Sequence, residues 1–214
     1  MVAETPTPAG RGRRLLLVRH GRTAWNAEGR AQGHADVSLD DTGRREAEAM
    51  ADVLAERGPA LLVSSDLARA RETAAFLEKA TGLTAVEDAR LREYDLGERT
   101  GLTREEFGAR LGDDVEGWSD PHGHIVVPGA ETHEDVAVRV VPALREVLDA
   151  LGPDQTALVV LHGAALRVGL VGLLGWPIET AEAIESMHNC AWAELAEHDA
   201  GRLRLSTYNA RVGS

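Results

Sequence analysis

Three short apolar runs punctuate the chain: Leu15-Leu16-Leu17-Val18, Leu61-Leu62-Val63 and Leu158-Val159-Val160-Leu161. Each is too short and too uniformly apolar for an amphipathic helix. The pattern predicts strands covered on both faces, as in a parallel sheet. Between them the apolar spacing becomes helical. Ala47, Met50, Ala51 and Leu54 predict a helix from about Asp41 to Arg57, stopped by Gly58-Pro59. Ala70, Ala74 and Leu77 predict a second from Leu67 to Thr81, stopped by Gly82. Thr84 to Glu87 reads as a short strand. Val136, Val140, Leu144, Val147, Leu148 and Leu151 mark the longest helical pattern, Glu131 to Leu151, with Pro142 expected to kink it. Ala164 to Leu174 reads as a buried helix. Ala191 to Glu197 and Leu203 to Tyr208 flank His198-Asp199-Ala200-Gly201, a hairpin signature.

Alternation of strand and helix predicts an α/β three-layer sandwich. A mostly parallel central sheet with an antiparallel edge would lie between helices. One domain is expected over residues 15–214, after a flexible arm at 1–14. Residues 21–40 read as a polar, glycine-bearing loop. The stretch from about 90 to 130 is irregular, with Phe107 and Trp118 as anchors. Within it, about 95–132 reads as a helical insertion over the site.

Composition narrows the functional classes. The formal net charge of −12 argues against a nucleic-acid surface. Cys190 is the single cysteine, which excludes an internal disulfide and suits a reducing cytoplasm. No apolar run is long enough for a membrane span, and the first residues lack a secretory apolar core. A homodimer is left open.

The chemistry lies at the strand ends. Arg19-His20-Gly21 follows the first apolar run and His162-Gly163 follows the last. Ser64-Ser65-Asp66-Leu67-Ala68-Arg69 follows the middle one. Ligands of open α/β sheets bind at the carboxyl ends of the strands. The pattern therefore brings two imidazoles and two guanidiniums to one edge, a site suited to phosphate. Other phosphate-handling designs are missing. There is no Gly-x-x-x-x-Gly-Lys-Ser/Thr loop, no arginine six residues after Cys190, and no Asp-x-Asp after a strand. His122-x-His124 beside Asp120 offers metal-ligating side chains, but such short patterns are more often polar loops, and no metal or cofactor is expected. A neutral histidine is a competent nucleophile without either.

Leu17-Val18-Arg19-His20-Gly21-Arg22-Thr23-Ala24-Trp25-Asn26, the Arg30 to Asp36 segment, Ser64 through Ala74, Leu91-Arg92-Glu93 and Val160-Leu161-His162-Gly163 together resemble the signatures of the histidine phosphatase superfamily, the phosphoglycerate-mutase-like phosphatases. The resemblance covers nearly everything after Arg14. It implies that His20 becomes phosphorylated and that Arg19, Arg69 and His162 hold the phosphate. It implies that Glu93 protonates the leaving oxygen and then activates water. Asn26, Gln32, Gly33 and the backbone around Gly163 would complete the pocket.

Departures bear on specificity. Glu98-Arg99-Thr100-Gly101 stands where the family commonly has Trp-Glu-Gly, and Gly163-Ala164 replaces Gly-Gly. Arg22, Arg99 and His133 are cations that could meet a carboxylate on the substrate. The expectation is a metal-independent phosphomonoester hydrolase acting through phosphohistidine on a small phosphorylated metabolite, such as a phosphoglycerate or sugar derivative. A phosphoglycerate mutase and a non-catalytic phospho-ligand-binding protein are the alternatives.

Overall fold

A computed structural model describes residues 12–112, 127–198 and 201–213. Its centre is a six-stranded sheet. The strands are β1 (Arg14–Arg19), β2 (Leu61–Ser64), β3 (Val86–Glu87), β4 (Thr156–Leu161), β5 (Trp192–His198) and β6 (Arg202–Ala210), in the spatial order β3-β2-β4-β1-β5-β6. The first four run parallel, and β5 and β6 add the antiparallel side.

The central strands bury both faces because alternate residues point to opposite sides. Leu15 and Leu17 join Ala157, Val159 and Leu161 in one core. Leu16 and Val18 join Leu158 and Val160 in the other. The first core is closed by α5 (His133–Asp149), α6 (Gly163–Leu174) and α7 (Thr180–Ala183). The second is closed by α2 (Asp41–Ala55) and α3 (Ala68–Thr81). The result is the expected sandwich of three layers.

Local chemistry sets the helix ends. Asp40 accepts the Gly43 amide at 2.7 Å and opens α2, and Gly82, at φ 75°, closes α3. Thr132 and Asp135 form a reciprocal capping box that starts α5 at His133.

Several expectations change. The loop after His20 contains a five-residue helix, α1 (Ala24–Glu28), capped by Thr23 and Asn26. It escapes a periodicity search because it buries none of its residues. The third strand is confined to Val86–Glu87. The helix α5 runs through Pro142 without interruption. The end of the expected arm is fixed to the sheet: Arg13 pairs with Glu197 at 2.7 Å, and Arg14 already belongs to β1. Residues 1–11 of that arm lie outside the described residues. So do residues 113–126, which include His122, His124, Trp118 and Asp120. The described part of the insertion holds a 3-10 turn at Gly97–Arg99 and α4 (Arg104–Leu111), pinned by buried Phe107.

Gly43 supports the loop after His20 from beneath. A Cβ built on it would lie 2.0 Å from the Arg22 carbonyl oxygen and 2.6 Å from the Arg22 nitrogen. Backbone cannot yield as a side-chain tip can. Gly43→Ala should therefore lower stability by about 1–3 kcal/mol despite alanine's better helix propensity. Urea denaturation checks this; an unchanged midpoint would mean the loop gives way freely.

Candidate active site

Strand register builds the site. Arg19 pairs with Leu161 across β1 and β4, and Ser64 pairs with Val160 across β2 and β4. The next residues, His20, His162 and Ser65, therefore emerge in a row at the carboxyl edge. The two imidazole centroids are 5.1 Å apart. The helix α3 begins three residues beyond Ser65 and turns Arg69, fully buried, back into the row.

Arg69 fixes the hydrogen-bond pattern. It donates through Nη2 to the Gly33 carbonyl and through Nη1 to the Ala35 carbonyl, both at 2.8 Å. Its Nε–H faces His162 Nδ1 at 3.2 Å, so Nδ1 accepts. The His162 proton then sits on Nε2 and is donated to Ser65 Oγ at 2.8 Å. A guanidinium has five N–H groups, so two remain for an anion. In His20, Nδ1 lies 2.8 Å from the Gly21 carbonyl, which can only accept. The ring is thereby held as the Nδ1–H tautomer, leaving the lone pair on Nε2. Burial, then Arg69 and Arg19, push the pKa of His20 well below the ordinary histidine value. Burial, then Arg69, does the same to His162. Both rings are neutral near pH 7. Burial also lowers Arg69 to about 10, which still leaves it charged.

Arg19 donates through Nη1 to the Met187 carbonyl. Its buried Nε has no hydrogen-bond partner among the described residues. Two amides face the same cavity with their oxygens engaged. Asn26 Oδ1 accepts from the Thr23 backbone at 3.1 Å and from Asn189 Nδ2 at 3.3 Å. Gln32 Oε1 accepts from the Thr23 hydroxyl at 3.0 Å. Their NH₂ groups are the ends left for a ligand. Glu93 is held by the first turn of α6: Ala164 and Ala165 donate backbone N–H bonds to its carboxylate at 3.1 and 2.9 Å.

The cavity they border has a volume of about 990 Å³. Arg19, His20, Asn26, Gln32, Gly33, Arg69, Glu93 and Arg99 all line it, and so does His133. Three expected contacts do not. Arg22 turns away to Asp40, 2.9 Å distant, because that carboxylate is its neighbour across the loop. Gly163 packs under Arg19, and the amides that follow it serve Glu93 instead. His162 stands behind Arg69, with both ring nitrogens occupied. Sequence reasoning missed Ser65 and Arg167. The signal for Ser65 was a polar side chain at a buried strand end; for Arg167 it was a charge interrupting an otherwise apolar helix.

The arrangement places a neutral imidazole with a free Nε2 lone pair, two guanidiniums and a carboxylate around one cavity, a setting suited to an anion. Comparisons agree with it. The family model for the histidine phosphatase superfamily (branch 1) matches residues 15–211. A glucosyl-3-phosphoglycerate phosphatase of Mycolicibacterium vanbaalenii is 40% identical, covering 94% of this chain and 96% of its own. A probable phosphoglycerate mutase of Cronobacter sakazakii is 36% identical over 83% of this chain and 81% of its own. A mycobacterial glucosyl-3-phosphoglycerate phosphatase solved with VO₃ superposes with a TM-score of 0.82 at 36% identity, covering 92% of this chain and 99% of that one.

The neutral imidazoles give a signed pH dependence. Both stay uncharged in the fold but take up protons in the unfolded chain below its ordinary value of 6.5. The unfolded state then binds more protons, so stability falls as pH drops through 6.5, by up to about 1.4 kcal/mol per pH unit for each ring. His20→Asn keeps a donor toward Gly21 but cannot titrate. Its unfolding free energy should fall less steeply between pH 7 and 5 than the wild type's. Equal slopes would mean that His20 is protonated in the fold.

Proposed function

The chain belongs to the histidine phosphatase superfamily, and on that premise we propose that His20, Arg19, Arg69 and Glu93 make it a phosphomonoesterase working through a phosphohistidine. The observation that carries this reading is the His20 tautomer, neutral, with its Nε2 lone pair retained beside two arginines. Nε2 attacks phosphorus as the ester P–O bond breaks. The Nδ1–H bond to Gly21 stabilises the positive charge that the ring acquires. Arg19 and Arg69, with the Asn26 and Gln32 amides, neutralise the phosphoryl oxygens. Glu93 gives its proton to the departing oxygen. The carboxylate then takes a proton from water, which attacks phosphorus; the P–N bond breaks and its electrons return to Nε2. His162 acts as a positioning residue, through Arg69.

Among the described residues no helix is long and apolar enough to cross a membrane. A cytoplasmic setting is supported by Cys190 being the single cysteine, which excludes an internal disulfide and suits a reducing compartment. For substrate, the cavity is far larger than a phosphate needs. The relatives' names support a phosphorylated glycerate carrying a sugar. Hydrolysis is preferred to mutase chemistry because the phosphatase relative matches at higher identity and over more of both chains.

His20→Ala should abolish turnover of p-nitrophenyl phosphate without unfolding the protein. Glu93→Gln should slow alkyl phosphates roughly 10²–10⁴-fold and aryl phosphates much less, since an aryl oxide leaves without a proton. Full activity in His20→Ala would end the phosphohistidine reading. Equal losses on both substrate types would move Glu93 to positioning. Exhaustive EDTA treatment should leave activity intact; loss restored by zinc or magnesium would point to His122 and His124.

A further inference from the structure

Arg167 has no part in the chemistry above, yet it borders the same cavity. It lies one helical turn after Gly163 on α6, on the face against which Arg19 packs. The segment after α7 holds both arginines from behind. Arg19 donates to the Met187 carbonyl, and Arg167 Nη1 donates to the Ile184 carbonyl at 2.8 Å. Each keeps a buried Nε without a hydrogen-bond partner, and they are the two such side-chain atoms among the described residues. No carboxylate pairs with Arg167 among those residues.

Of the other charged residues around the cavity, Arg30, Glu131, His133 and Glu93 have partners, while the carboxylates Glu134 and Glu179 also line it. Glu28 and Glu106 engage Arg30 at 2.8 and 2.6 Å. Arg139 engages Glu131 at 2.7 Å, His133 lies 3.6 Å from Glu182, and the α6 amides hold Glu93. Arg99 is the remaining unmatched cation, but it is exposed and lies over the Phe107 ring, 5.6 Å from its centroid. Arg167 is half-buried, so a charge–charge contact there is screened less. Two like guanidiniums held side by side favour a ligand with two negative groups.

We infer that Arg167 is the residue that selects the substrate beyond its phosphate, by binding a carboxylate carried close to the phosphoester. This rests on the phosphatase reading above. The phosphate sits at Arg19, Arg69 and His20. The leaving oxygen faces Glu93 at the start of α6, and the rest of the substrate extends along α6 toward Val168 and Arg167, with Tyr94 alongside.

The test compares 3-phosphoglycerate with glycerol 3-phosphate, which keeps the phosphoester and lacks the carboxylate. In Arg167→Ala the kcat/KM ratio of the first to the second should fall roughly tenfold to hundredfold, mainly through KM. Arg167→Lys should recover part of that ratio, and Arg167→Gln should not. Both keep an aliphatic stem, so the comparison survives if the alanine variant unfolds. Calorimetric titration of the two compounds into His20→Asn, with and without Arg167→Gln, reads the same preference without turnover. Should the wild type hydrolyse neither compound, p-nitrophenyl phosphate turnover decides the phosphatase reading and the binding ratio decides the role of Arg167. An equal loss for both compounds, or a ratio that moves with Arg99→Ala and not with Arg167→Gln, overturns the inference.

Discussion

A guanidinium removed from water has to be surrounded by acceptors, and Arg69 imposes that requirement on the whole catalytic edge. Its acceptors are two carbonyls, of Gly33 and Ala35, and one imidazole nitrogen, of His162. These tie α3, the loop before α2 and the end of β4 to one point. A protonated His162 would set a second cation against the first. Burial, and then Arg69, keep His162 neutral, and Arg69 fixes its tautomer and directs its proton to Ser65. It also helps depress His20. The positive charge of the two arginines thus adds to burial in keeping His20 unprotonated.

Two further constraints complete the site. The parallel register of β2, β4 and β1 sets the spacing of Ser65, His162 and His20, and no loop flexibility intervenes. The first turn of α6 holds Glu93 by two backbone N–H bonds, so its carboxylate is anchored to the same strand end that carries His162. Groups on rigid elements need little reorganisation when charge develops, which is how preorganised sites lower a barrier.

Much of this was legible in the sequence because strand ends are legible. Short apolar runs located β1, β2 and β4 to within a residue or two at each end, and the polar residues after them located His20, Arg69 and His162. The helices with a full apolar stripe, α2, α3 and α5, were equally readable. What failed was what depends on pairing rather than periodicity. The helix α1 has no buried stripe and is made by its cap. Arg22 looked like a substrate contact until Asp40 claimed it. Arg167 belongs to no motif; its partners, Ile184 and the cavity, are distant in sequence or have no sequence at all. A one-dimensional pattern marks where charges emerge, but not which of them find a counter-ion.

The proposed phosphohistidine chemistry turns most directly on which atom carries the phosphoryl group. Rapid acid-free quenching during turnover, followed by peptide mapping and regiochemical assignment of the labelled ring, measures it. A phosphoryl group on His20 Nε2, labile to acid and stable to base, is the predicted result. A phosphoryl group on His20 Nδ1, on His162, or on a serine or carboxylate would contradict the hydrogen-bond assignment from which the chemistry was built.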